Sequence, residues 1–287
     1  DIYSDKDHEL INNLNDVYTT VGYKTLKISV KNGINIDSVK QLMKNKEELD
    51  FALSFMSEHP QAAVKILEQS DVDAVASLLS NAPSSYISPV LKYMLPDFFV
   101  RVCNSMGAEK AAAILSSLDA NAIAIVLRRS PEESRKKILE ELPASKRKNT
   151  ELLLEFPINT VGAWMSPHML VVPHDVKNKN VMKYLKSGGS QDDSEYIYVT
   201  DRDSRFLGRT RFLDLVKGGE NLPITSFMQD NCPYLPAQIF LEQTSEHIAW
   251  EFSDVLPVTN RDNQLLGILP HHALRQGLAQ INNVRPK

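Results

Sequence analysis

Cysteine is almost absent. The 287-residue chain holds two, Cys103 and Cys232, far apart and outside any CxxC pair. That count argues against a disulfide framework and against a thiolate zinc site, and a reducing compartment fits. No stretch reaches 18 uninterrupted apolar residues, so no segment reads as a membrane span. The opening residues, DIYSDKDHEL, are charged and have no apolar core, unlike a secretory signal. Neither sign of charge dominates: 32 Lys+Arg face 36 Asp+Glu, a formal net charge of -4. That balance argues against a nucleic-acid footprint and against a polybasic membrane surface. Catalytic signatures are missing as well. There is no Gly-x-Ser-x-Gly, P-loop, HExxH or dinucleotide fingerprint, and the expectation is a protein that is not an enzyme.

What is present is a repeat. Ile66-Leu67 returns as Val90-Leu91, Ile114-Leu115 and Ile138-Leu139, each pair 24 positions after the last. Leu78, Val102 and Val126 keep the same step, as do Pro83, Gly107 and Pro131, and Pro157 closes the array. A fixed period of this size signals stacked supersecondary units, because one unit cannot bury its apolar face alone. Each unit reads as two short helices. In the third, AEKAAAILSSL is followed by Asp119 as N-cap and then ANAIAIVLRR. Ahead of the array, GYKTLKISVKNG alternates as a short strand pair and IDSVKQLMKNKEELDFALSFM reads as one or two helices.

After Pro157 the texture changes to short β runs separated by helical stretches. VGAWMSPHMLVVP, a helix and YIYVTDRDSRFLGRTRFLDLV can be laid over ITSFMQDNCPYLPA, a helix and DVLPVTNRDNQLLGILPHHAL. Each half has a Met-containing lead-in, a helix (LEQTSEHIAWEF in the second), two strands around a polar turn, and a closing helix. A β-α-β-β-α unit present twice suggests two modules whose sheets pack together. Asp201, Arg202 and Asp203, like Asn260, Arg261 and Asp262, read as hairpin-turn residues. Trp164 and Trp250 read as core or interface, and the neighbouring His271 and His272 as a solvated pair.

The second half resembles a tandem CBS-domain pair. With the helical array before it, the chain resembles the cytoplasmic region of the MgtE family of magnesium transporters and channels. His59-Pro60-Gln61, the 24-residue repeat, the VGAWMSP linker and the two strand pairs carry the likeness, over roughly residues 55–282. The fold class expected is α+β and multidomain. An N-terminal extension of mixed structure over 1–58 precedes a superhelical repeat domain over 59–157, then CBS module 1 over 158–222 and module 2 over 223–282.

The resemblance implies a regulatory, magnesium-sensing region at the cytosolic face of a membrane. It would dimerise through its CBS modules and close when Mg²⁺ binds carboxylates of the helical domain and the CBS pair. The metal ligands it carries over are Asp119 and Glu242. Asp193 and Glu195, in a loop with Asp192, offer a further magnesium perch. Other matching positions hold Ile123, Phe240, Phe252, Ala273 and Gln276, none of them acidic. CBS pairs also hold adenine nucleotides through a Gly-x-x-Ser/Thr-x-x-Asp pattern. Here Gly208 and Asp214 fit it while Arg211 stands at the hydroxyl position, where it could meet a phosphate. In the second module Pro270 and Ala273 replace the polar positions. The non-Met start and the end at Lys287 read as an excised piece of a chain with a transmembrane pore. The alternative reading is a stand-alone CBS adaptor or sensor for a protein partner or an adenine nucleotide.

Overall fold

The computed structural model describes residues 35–187, 195–229 and 231–284. The chain divides into two compact units between Arg147 and Lys148, inside a helix and ahead of Pro157. The strand pair expected within 22–33 lies outside the described residues.

The first unit is all helix among its described residues. It begins with α1 (Ile36–Lys44) and α2 (Lys46–Glu58). Then follow α3 (Pro60–Glu68), α4 (Val72–Asn81), α5 (Ser84–Leu91), α6 (Pro96–Met106), α7 (Ala108–Leu115), α8 (Ala120–Arg129), α9 (Glu132–Glu141) and α10 (Ala144–Leu154). The first helices of the repeats start at Pro60, Ser84, Ala108 and Glu132, and the second helices at Val72, Pro96, Ala120 and Ala144. The 24-residue step of the sequence is therefore the step of the helix pairs. Second helices stack on one another, α4 on α6 and α6 on α8, while first helices stack as α3 on α5 and α7 on α9. The repeated apolar columns are what they bury: Leu67, Val90, Leu115, Ile138, Leu78 and Val102 are all buried.

Punctuation has a local cause at each step. Asp71 and Asp119 cap α4 and α8, their carboxylates accepting from Ala74 N at 3.0 Å and Ala122 N at 2.8 Å. Pro83 and Pro131 occupy the N-cap positions of α5 and α9, and Gly107 takes the same place before α7 with φ +86°, a conformation that favours glycine. The extension is less separate than its sequence suggests. Ile36 lies 24 residues before Pro60, α1 packs on α4 and α2 on α5, so 36–58 continue the helical stack.

The second unit carries the two modules. In module 1, β1 (Val171–Pro173) runs parallel to β2 (Tyr196–Thr200), which pairs antiparallel with β3 (Phe206–Arg211). Helix α11 (Asn178–Lys186) joins β1 to β2, and α12 (Phe212–Lys217) follows β3. In module 2, β4 (Leu235–Pro236), β5 (Val255–Thr259) and β6 (Leu265–Pro270) repeat that order, with α13 (Leu241–Thr244) inside and α14 (His271–Val284) closing. The repeat extends to detail. Both hairpins shift register at the same place, after Val199 and after Val258, and both turns carry a residue at positive φ, Ser204 and Asn263. Asp201 and Asn260 each hold their turn by accepting two backbone N–H bonds, so these polar residues are structural.

The modules interlock through their lead-in segments. Ser166 of module 1 bridges to Ile268 in β6, and Gln229 of module 2 bridges to Arg209 in β3. The contact is close only because glycine sits beneath each: a Cβ on Gly267 would lie 2.6 Å from Ser166 O, and one on Gly208 2.6 Å from Gln229 O. Tyr198, Phe206, Cys232 and Ile268 fill the space shared by the two modules. One sequence expectation needs correcting. LEQTSEHIAWEF is not a single helix but α13 and a separate 3-10 turn, Ile248–Glu251. Thr244 and Ser245 hydroxyls donate back to the carbonyls of Leu241 and Glu242, and His247 Nδ1 accepts from Ala249 N to start the new turn.

Both cysteines are free and buried. Burial pushes the Cys103 thiol up to about 12. Cys232 is also raised by burial, against an opposing pull from the nearby Arg209 charge. Thiolate is the reactive form, so iodoacetamide at pH 8 should leave both unmodified in the native protein and label both in guanidinium. Mass spectrometry checks it.

Candidate functional site

The described residues of the second unit enclose a cleft of about 500 Å³ where the modules meet. Module 1 supplies the start of β2 and the end of β3; module 2 supplies the 3-10 turn and the start of β5. Trp250 stands in its wall with the indole stacked on His271 at 4.8 Å, a partly exposed position unlike that of the buried Trp164. Directly behind the wall lies Arg209, which is 6% exposed. Its guanidinium sits 3.9 Å from the centre of the Tyr196 ring, and Nη1 donates to Ser253 Oγ at 2.9 Å and Val255 O at 3.1 Å. Tyr196, Ser253 and Val255 all line the cleft. Sequence reasoning missed Arg209; its only signal was a charged residue inside the strand, FLGRTR, ahead of the arginine that ends it.

The nucleotide-pattern residues are not gathered into one site. Arg211 lines the cleft, with Nε 3.8 Å from Glu195 Oε1. Gly208 faces Met228, whose Cγ would lie 2.7 Å from an added Cβ, so the glycine accommodates packing between modules. Asp214 is exposed in the first turn of α12 and does not line the cleft.

The candidate magnesium ligands are likewise single carboxylates. Asp119 is exposed at the N-cap of α8, with one oxygen already on Ala122 N. Glu242 is exposed in the first turn of α13, and Glu195 is beside Arg211. Asp193 lies outside the described residues. Among the described residues no three His, Cys, Asp or Glu side chains are grouped to hold a metal ion. Carboxylates that are not grouped still suit Mg²⁺, which keeps several waters and takes one or two such ligands. The non-acidic positions differ in depth: Ile123 is 0% exposed, whereas Phe240 and Phe252 are 49% and 77% exposed.

The closing helices of the two modules also differ. On α12, Phe212, Leu213 and Val216 are exposed, and the corresponding places on α14 are His271, His272 and Arg275. The module fold therefore does not require an apolar face there. Among the described residues no helix is long and apolar enough to cross a membrane.

Residues 58–159 match the family model described as the MgtE intracellular N domain. A curated relative, the magnesium transporter MgtE of Bacillus subtilis (strain 168), is 23% identical over 195 residues, covering 68% of this chain and 43% of the relative. The chain thus spans less than half the length of the curated relative it matches. Two solved structures share the fold. The soluble part of a magnesium transporter aligns with a TM-score of 0.56 at 15% identity, covering 82% of this chain and 98% of the other. The cytosolic domain of the Mg²⁺ channel MgtE in complex with ATP aligns with a TM-score of 0.50 at 18% identity, covering 83% and 93%.

Proposed function

We propose that this chain, which resembles the helical N domain and tandem CBS domains of the cytoplasmic region of the MgtE family, is the cytosolic regulatory region of an MgtE-like magnesium transporter. The observation that carries the reading is the order of parts. A 24-residue helix-pair array matching the MgtE intracellular N domain is followed by two interlocked β-α-β-β-α modules. Its task is regulation without catalysis. Mg²⁺ acts on exposed carboxylates of both units, Asp119 and Glu242 first among them, and favours the closed state by its higher affinity for it. With so few acids the response belongs in the millimolar range, and the partner it controls is a transmembrane pore.

Limited proteolysis across a magnesium titration tests this. Magnesium should protect the chain, and the protection should weaken in Asp119→Asn and Glu242→Gln. Asparagine is the informative substitution at 119, because it caps a helix as well as aspartate does while removing the charge. Asp119→Ala would confound the test by costing about 1 kcal/mol of helix stability. Equal cleavage at all magnesium concentrations would contradict the reading.

The same account makes the protein a homodimer through its CBS modules, and the exposed Phe212, Leu213 and Val216 on α12 support it. Leu213→Glu should shift sedimentation from dimer to monomer with little change in unfolding midpoint. An unchanged dimer would remove α12 from the interface.

A further inference from the structure

Helix α11 of module 1 turns a purely positive face to solvent. Residues 177–186 hold four lysines, Lys177, Lys179, Lys183 and Lys186, and no acid. All four are exposed, and Tyr184 among them is 49% exposed. Lys179, Lys183 and Lys186, at steps of four and three, form one stripe along the helix. The other side is apolar: Val181, Met182 and Leu185 pack on the core of the module. The start of the helix is held in place, with Asn178 Nδ2 donating to Leu215 O at 2.9 Å and Lys179 N to Glu220 O at 2.8 Å.

Neither ion pairing nor folding accounts for this charge. Among the described residues the ion pairs of module 1 use Arg202, Arg205 and Arg211, and none uses a lysine. Lys177 stands at the N-cap without capping and Lys179 follows in the first turn, where the helix dipole disfavours a cation. The counterpart helix of module 2, α13, has no lysine and carries Glu242, so the module fold does not require a basic helix there. On α12, which packs against α11, Lys217 offsets Asp214. The chain's net charge of -4 conceals the patch.

We infer that α11 docks on an anionic membrane surface through Lys179, Lys183 and Lys186, with Tyr184 at the level of the headgroups. Lysine is a flexible point charge that suits a diffuse layer of negative headgroups; a discrete phosphate or carboxylate partner favours the planar fork of arginine, and the stripe has none. Tyrosine, with an apolar body and a polar tip, suits the same interface. The inference takes from the proposed function only the nearness of a membrane. Its test contains no magnesium, so the two can fail separately.

Co-sedimentation of the full chain with vesicles, in magnesium-free buffer at low salt, is that test. Vesicles of phosphatidylcholine with about 30% phosphatidylserine should capture the chain, and phosphatidylcholine alone should not. Capture should fade as KCl is raised past about 0.2 M. Lys179→Gln, Lys183→Gln and Lys186→Gln together should weaken partition on the order of a hundredfold, at about fivefold per lysine. The unfolding midpoint should not move, because all three positions are exposed. The same three changed to Arg should bind as wild type does. A matched triple on the helical array, Lys92→Gln, Lys110→Gln and Lys136→Gln, also at exposed positions, should keep its capture. The inference is overturned by equal partition onto neutral and anionic vesicles, or by equal losses in the two glutamine triples. Tighter binding to polyglutamate than to the anionic vesicles, at equal charge, overturns it as well and makes an acidic protein the partner.

Discussion

Ile123→Asp should unfold the helical array. The substitution places an acid where the MgtE resemblance would have one, but Ile123 is 0% exposed in the middle of α8. Losing the buried isoleucine costs roughly 2–3 kcal/mol, and an unpaired carboxylate at that depth adds several more. The sum, more than about 5 kcal/mol, is comparable to the whole stability of an ordinary domain. Circular dichroism should show the array molten at room temperature. Phe240→Asp and Phe252→Asp are the matched controls. Both positions are exposed, so their midpoints should stay within about 0.5 kcal/mol of wild type, and each added acid should strengthen the response to magnesium. A stable Ile123→Asp protein would mean that this face of α8 is accessible after all.

Gly208→Ala and Gly267→Ala should loosen the module pair, and by similar amounts. In both cases the new Cβ meets a backbone oxygen at 2.6 Å, Gln229 O or Ser166 O, and neither can turn aside as a side chain would. Each bridging segment must move or the substitution is not accommodated, at roughly 1–3 kcal/mol, or about 4–10 °C in the midpoint of a unit of this size. Met228→Ala should rescue Gly208→Ala only in part. It clears the thioether at 2.7 Å and leaves the carbonyl where it was. Full rescue would show that the side chain, and not the backbone bridge, sets the spacing between modules.

Much of this architecture is legible in the residues alone. Columns such as Leu67, Leu115 and Ile138 repeat because equivalent helices bury equivalent positions, and so the period marks where each helix pair begins. The hairpin turns are legible for a local reason: Asp201 and Asn260 bond to backbone only two and four residues away. Contacts that depend on distant partners are not. Nothing near Arg209 in the chain announces Ser253 and Val255, which complete its site from the other module. Gly208 fits a nucleotide pattern by spacing, and only the fold shows Met228 lying on it. The family resemblance would put an acid at position 123, yet helix phase turns that position into the core. The continuation of the stack through α1 and α2 was hidden because their columns are irregular, although Ile36 keeps the 24-residue step.

Small-angle scattering of the full chain across a magnesium titration, at matched ionic strength in KCl, tests the regulatory account most directly. Matching the salt separates a bound ion from general screening. The account predicts a radius of gyration that falls over the millimolar range in magnesium but not in the KCl control, with a smaller fall in Asp119→Asn and Glu242→Gln. A radius that stays constant to tens of millimolar magnesium would contradict it.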